Sequence, residues 1–150
     1  MEGILPEQFE QGLAYLSHKL VYAFRQRLGQ ICRAHGYAMT PEELGILLVL
    51  DREGGATQTC LSEVIDKDKA SVTRLLNKLV ELGYVERVND ASDRRIIRTY
   101  LTAAGREVYQ TIRPALQAMS QKVFADVSEA DFIAARRVLT VAITHLKTEE

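Results

Sequence analysis

Apolar residues recur along the chain at two periods, and the change from one to the other marks out the elements. From about Phe9 to Ala34, Leu13, Leu16, Leu20, Phe24 and Leu28 fall at helical spacing with Tyr15, Val21, Tyr22 and Ile31 beside them. That spacing predicts one long helix of about seven turns, stopped at Gly36. Thr40-Pro41-Glu42-Glu43 has the form of a capping box with Pro at the first helical position, so it opens a second helix, buried through Leu44, Ile46, Leu47, Leu48 and Val49. The run from Asp51 to Gly55 ends it in a turn. Thr57 is placed to cap a short third helix over roughly Gln58 to Ile65, with Leu61, Val64 and Ile65 inward. Asp66-Lys67 breaks that helix, Asp68 caps a fourth from Lys69 to Leu82, and Gly83 closes it.

After Gly83 the period drops to two. Tyr84-Val85-Glu86-Arg87 and Ile96-Ile97-Arg98-Thr99-Tyr100-Leu101 alternate as strands around a polar tip, Val88 to Arg95, rich in turn-forming Asn and Asp. Two closely spaced helices followed by a hairpin make a winged helix-turn-helix, so the expected fold class is mainly α with a small β wing. Such a module suits one helix to a DNA major groove and sets the hairpin beside it. In the fourth helix Val72, Leu75, Leu76 and Leu79 share one face. At 100° per residue the other face carries Ala70, Thr73, Arg74, Asn77 and Lys78, with Lys69 and Ser71 in the first turn. Arg can grip guanine and Asn adenine bidentately, Ser and Thr can bond base edges or phosphates, and Lys78 is placed for a phosphate. At the wing, an Arg can enter the minor groove, and Asp93 is near enough to orient Arg95.

Beyond the wing, Thr102 is expected to cap a fifth helix running toward Ala125, kinked by Pro114. Ser128-x-x-Asp131 resembles a further cap for a final helix ending near Lys147. That helix carries Phe132, Ile133, Val138, Leu139, Val141, Ala142, Ile143 and Leu146, more apolar surface than one amphipathic helix needs. The expected division is therefore a helical dimerisation region, residues 1–36 and 106–150, around a winged helix-turn-helix domain, residues 37–105. Dimerisation would let two recognition helices read half-sites about 34 Å apart.

Composition changes this picture in one respect. The chain has 150 residues, 47% of them apolar, and a net charge of −1, which at first argues against a phosphate-rich partner. Between Lys67 and Arg98, however, 8 basic residues face 5 acidic ones, leaving 11 basic and 15 acidic elsewhere. A basic module in an acidic body would direct DNA to one face. The apolar runs are too short for a membrane span, the N-terminus lacks the form of a secretion signal, and 2 Cys suggest reduced thiols. A cytoplasmic, nucleoid-associated protein of a bacterium or archaeon is expected. No phosphate loop, nucleophile elbow or metal-ligand pair is present, so neither catalysis nor a cofactor or metal is expected.

Taken together, Leu61-Ser62-Glu63, Asp68-Lys69, Val72-Thr73-Arg74-Leu75, Leu79, Gly83-Tyr84-Val85-Glu86-Arg87, Asp93-Arg94-Arg95 and Leu101-Thr102-Ala103-Ala104-Gly105 resemble the winged-helix pattern of the MarR family of transcription regulators. The resemblance implies a homodimer on a pseudo-palindromic double-stranded operator, usually repressing and released by a small ligand or an oxidant. It also implies that the helix from Lys69 reads bases and that Asp93 and Arg95 supply the minor-groove contact. Lys67 departs from the pattern, standing where relatives often carry an apolar residue.

The resemblance further implies an effector pocket between the dimer arms and the winged module. His18, Tyr22, Arg25, His35, Tyr37, Met39 and Tyr109 are polar or aromatic candidates for its lining, Met39 aside. An alternative is a thiol-based redox sensor at Cys32, beside Arg33 and His35, since a reactive thiol needs access and a depressed pKa; Cys60 is the weaker prospect. A second alternative is a winged-helix protein-interaction module that binds no DNA.

Overall fold

The computed structural model describes residues 12–148, which form six helices and three short strands. Helix α1 runs Leu13–Ala34, α2 Pro41–Glu53, α3 Gln58–Ile65, α4 Lys69–Glu81, α5 Ala103–Val123 and α6 Glu129–Thr148; strand β1 is Ala56–Thr57, β2 Val85–Asn89 and β3 Ile97–Leu101. The fold is mainly helical with a small wing, as expected. The residues 9–11 of the expected first helix lie outside the described residues. The chain divides into two compact units between Leu116 and Gln117.

Local chemistry explains the helix boundaries in the first unit. Thr40 and Glu43 satisfy each other's backbone: the Glu43 amide donates to Thr40 Oγ1 at 3.2 Å and the Thr40 amide to Glu43 Oε2 at 2.9 Å. Two of the amides orphaned at the start of α2 are thereby paired. Thr57 caps α3 through the Cys60 amide at 3.3 Å, and Asp68 caps α4 through the Ser71 amide at 2.8 Å. The α3–α4 turn needs a left-handed residue, and Asp66 adopts it at φ 51°. Asp is among the few side chains that tolerate that conformation. Lys67 follows in this turn, its ammonium 3.9 Å from Glu42.

The core of this unit gathers Leu44, Ile46, Leu47 and Leu50 of α2, Leu61 of α3, Val72, Leu76 and Leu79 of α4, Val85 and Leu101 of the wing, and Val108 and Ile112 of α5. Leu48 and Val64, expected inside, are exposed. Val64 and Ile65 stand three and four residues from buried Leu61, and Ile65 is the one turned inward. Leu48 lies on an otherwise apolar helix segment, where composition hides which side faces the core. Leu50, unassigned from the sequence, is buried in its place.

The sheet has the order β1-β3-β2, entirely antiparallel. Strand β1 has two residues, pairing Ala56 with Thr99 and Thr57 with Arg98; it was not evident in the sequence because so short a segment has no period. On the β2 side the hairpin runs two residues further than the alternation suggested, past Arg87 to Asn89, which lies opposite Ile97. At its base Thr102 Oγ1 donates to the Gly83 carbonyl at 2.6 Å and accepts from the Gly105 amide at 3.1 Å. Thr102 thus closes the hairpin and caps α5 with one hydroxyl. A Cβ on Gly105 would stand 2.0 Å from the Tyr84 carbonyl oxygen, so only glycine admits that approach.

Helix α5 continues through Pro114 without interruption and ends at Val123, short of Ala125. In the second unit, Ser128 Oγ accepts from the Asp131 amide at 3.1 Å and starts α6. Phe124 meets Phe132 edge to face, their centroids 5.6 Å apart. No residue of α6 is buried; Phe132, Ile133, Val138, Val141, Ile143 and Leu146 all stand exposed. In α1, Leu13, Leu16 and Leu20 are likewise about half exposed, along one helical stripe.

Candidate nucleic-acid interface

Helix α4 presents the polar face expected of it. Lys69, Ala70, Arg74, Asn77 and Lys78 are exposed, with Ser71 and Thr73 half-buried. Several of these groups are held before any partner arrives. Asp68 Oδ2 accepts from Ser71 Oγ at 2.7 Å, and Ser71 Oγ accepts from Arg74 Nη2 at 3.1 Å. The hydroxyl and amide of Ser71 hold the Asp68 carboxyl below the usual carboxylate range. Arg74 is thus steered from the helix's own first turn, which reduces the rotamer freedom it would lose on binding. Among the described residues, neither Lys69 nor Asn77 makes a side-chain hydrogen bond.

Thr73 and Lys78 are committed inward. Thr73 Oγ1 donates to the Lys69 carbonyl at 2.8 Å and accepts from Gln58 Nε2 at 2.5 Å. Lys78 Nζ lies 2.8 Å from Oε1 of Glu43, whose side chain is 2% exposed. A buried carboxylate needs a partner charge, so the ammonium expected to meet a phosphate is engaged within the fold.

The wing tip is organised by two aspartates. Asp90 Oδ1 accepts from the Ser92 amide and hydroxyl at 2.8 and 2.5 Å, and its Oδ2 accepts from Arg98 Nε at 2.5 Å. Ser92 first and Arg98 second hold the Asp90 carboxyl far below its ordinary range, and Asp90 in turn raises the Arg98 guanidinium. Asp93 takes the Arg95 backbone amide at 3.0 Å, Nε at 3.2 Å and Nη2 at 3.3 Å. The Arg95 bonds lower the Asp93 carboxyl as well. Arg95 is therefore oriented at its root while its side chain remains 91% exposed. Arg94 is exposed too, its carbonyl accepting from Asn89 Nδ2 at 2.7 Å. The Asp93–Arg95 pair was legible from spacing. The Asp90–Arg98 pair, eight residues apart, becomes visible only once the hairpin register is known.

The sensor candidates do not converge on one cavity. Arg25 and Met39 line a cavity of about 470 Å³ between α1 and the start of α2, together with Gln26, Gln30, Arg33 and Thr40. Tyr109 lines a second, of about 310 Å³, with Arg113, Arg52 and Leu48. His18 and Tyr22 are exposed, Tyr22 accepting from Gln26 at 2.6 Å. A ring nitrogen of His35 lies 2.8 Å from the Ile31 carbonyl, and Tyr37 is half-buried. Arg25 also pairs with Glu42 at 2.5 Å. Burial pulls the Glu42 carboxyl upward, but the Arg25 bond and the nearby Arg25 and Lys67 charges outweigh it, leaving it lowered.

Cys32 corrects the redox expectation. Its side chain is fully buried, and that burial pushes the thiol pKa up despite the charge of Arg33. Nucleophilic thiols need the opposite on both counts. Proximity of Arg33 and His35 in the sequence was the misleading signal, because on α1 the Cys32 side chain turns inward.

A family model described as MarR family matches residues 38–96. A provisionally assigned transcriptional regulatory protein for the hcr operon of Thauera aromatica is 29% identical over 117 residues, which are 78% of this chain and 69% of that protein. The crystal structure of a MarR-family transcriptional regulator from Silicibacter pomeroyi superposes with a TM-score of 0.77 at 25% identity, covering 94% of each chain. The structure of the Staphylococcus aureus MepR–DNA complex is similar in fold, with a TM-score of 0.78 at 22% identity, covering 92% of this chain and 99% of that one.

Proposed function

We propose that the chain is a DNA-binding transcription regulator of the MarR family and that it represses transcription as a homodimer bound to a pseudo-palindromic operator in the cytosol. The observation that carries the reading is the joint exposure of Lys69, Arg74 and Asn77 on α4 and of Arg95 on the wing, each arginine pre-oriented by a neighbour. Lys69, Ala70, Arg74 and Asn77 face the bases of the major groove, Ser71 steers Arg74, and Thr73 supports the helix. Arg95, held by Asp93, enters the minor groove, with Arg94 at the adjacent phosphates.

The apolar stripe of α1 and the uncovered α6 support pairing with a second copy, since a contiguous exposed apolar face seeks a partner. No helix among the described residues is long and apolar enough to cross a membrane. A small-molecule effector, seated in the cavity walled by Arg25, Arg33 and Met39, would modulate DNA affinity.

The test is footprinting on the chain's own promoter together with sedimentation. A dimer protecting two half-sites one helical turn apart is expected, with affinity falling steeply as salt rises. A monomer with no footprint would overturn the proposal.

A further inference from the structure

Gln58, the first residue of α3, makes all the hydrogen bonds that join three elements of the reading module through one side chain. Its Nε2 donates to the Lys69 carbonyl at 2.9 Å and to Thr73 Oγ1 at 2.5 Å, both in the first turns of α4. Its Oε1 accepts from Arg87 Nη2 at 3.3 Å, on the outer wing strand β2. Two donors and an acceptor on one planar group are what an amide supplies and neither a carboxylate nor an ammonium does. The orientation is set by the partners: a flipped amide would turn its oxygen toward the Lys69 carbonyl and its NH₂ toward a guanidinium.

The backbone at this point is tied as well. Thr57, one residue earlier, pairs with Arg98 in β3, so Gln58 sits where the sheet gives way to α3. Beside it, Thr57, Gln58, Thr59, Arg87, Arg95 and Ile96 line an open cleft between α3 and the wing. A side chain bridging that cleft limits how far the wing can swing from α4.

We propose that Gln58 is a positioning residue for DNA reading: by bonding the α4 first turn and wing residue Arg87 at once, it holds the recognition helix and the wing arginine at the separation that lets both engage one half-site. The proposal rests on the reading above, in which α4 enters the major groove and Arg95 the minor groove. Two grooves of one duplex lie at a set separation, so a wing free to move must be ordered on binding, at a cost in affinity. Coupling between helix and wing is the distinguishing consequence. Loss of the bridge should matter only while Arg95 is present to be positioned.

The experiment is a double-mutant cycle on DNA affinity, using the full chain and a duplex operator selected in vitro with the unmodified protein. Gln58→Met, which keeps length and removes every bond, is expected to weaken binding about tenfold. In an Arg95→Ala background the same change is expected to weaken binding less than about twofold, with the salt slope unaltered by Gln58→Met in either case. An equal factor in both backgrounds, or no loss in either, overturns the proposal. Thr73→Val, which deletes one of the two α4 acceptors and keeps the shape, repeats the cycle should Gln58→Met fold poorly, with the same two outcomes. Arg74→Ala separates the levels of failure: if it leaves affinity and base preference unchanged, the recognition-helix reading is wrong, whereas if it weakens binding while the Gln58 cycle is additive, only the positioning role falls.

Discussion

Replacing Lys78 by methionine tests whether the α4 ammonium serves the fold or the DNA. The Lys78 amine sits 2.8 Å from Glu43 Oε1, and the Glu43 side chain is 2% exposed while that of Lys78 is 47% exposed. Exposed ion pairs contribute about 0–1 kcal/mol, whereas removing one partner of a buried pair costs about 3–5 kcal/mol. The half-exposed lysine places this pair between them, and Glu43 keeps the Thr40 amide as a second partner at 2.9 Å. A loss of about 2 kcal/mol follows. For a chain of this size that lowers the melting temperature by about 4–8 °C. Methionine keeps the aliphatic packing, so the loss reports the charge. Adding Glu43→Gln to Lys78→Met removes the stranded carboxylate and should recover part of it. Urea and thermal unfolding measure the stability, and titration of a duplex operator against salt measures the phosphate contacts. Because Lys78 is paired within the chain, the salt slope should be unchanged. Unaltered unfolding together with a slope reduced by about 0.9 per half-site would refute the reasoning and return Lys78 to the DNA.

Arg74→Ala is expected to cost about 1–3 kcal/mol of operator affinity and to relax base preference; a uniform loss across all sequences in a base-substitution series would contradict it. Asp90→Asn should loosen the wing tip, and its effect has a pH signature. A carboxyl lowered in the folded state contributes stability above its ordinary pKa and loses it as pH falls through the folded value, so the melting difference from the unmodified chain should be constant from pH 5 to 8 and shrink below about pH 4. A difference that grows on acidification would refute that assignment. Cys32, buried with its thiol pushed up, should be alkylated at neutral pH at least about tenfold more slowly in the native chain than in urea; equal rates would show it accessible. Gly105→Ala should destabilise by about 1–3 kcal/mol, because its Cβ would meet the Tyr84 carbonyl oxygen; an unshifted denaturation midpoint would exclude the clash.

Local interactions were readable along the chain because each is completed within a few residues. The Thr40–Glu43 box, the caps at Thr57, Asp68 and Ser128, the left-handed Gly83 and the Asp93–Arg95 pair all depend on spacings of two or three residues or on one residue's backbone freedom. The amphipathic face of α4 was readable for the same reason, its apolar and polar positions being separated by helical period. Where a segment is apolar on both sides, as at Leu48, or offers apolar residues at both three and four positions from a core residue, as Val64 and Ile65 do after Leu61, period carries little information and the inward side was misjudged.

Tertiary structure decided what reaches across elements. Whether Lys78 meets solvent or Glu43, whether Cys32 faces out or in, and whether Arg98 finds Asp90 depend on which helix or strand lies opposite. Gln58 is the clearest instance: nothing in its neighbours marks it, and its three partners lie 11, 15 and 29 residues away. Hydrogen bonds and ion pairs act over a few ångströms of space rather than along the chain, so pairings between distant residues acquire meaning only when packing brings them together. The chain's order of caps, periods and turns thus sets the reading module, and packing selects which of its polar groups remain available to DNA.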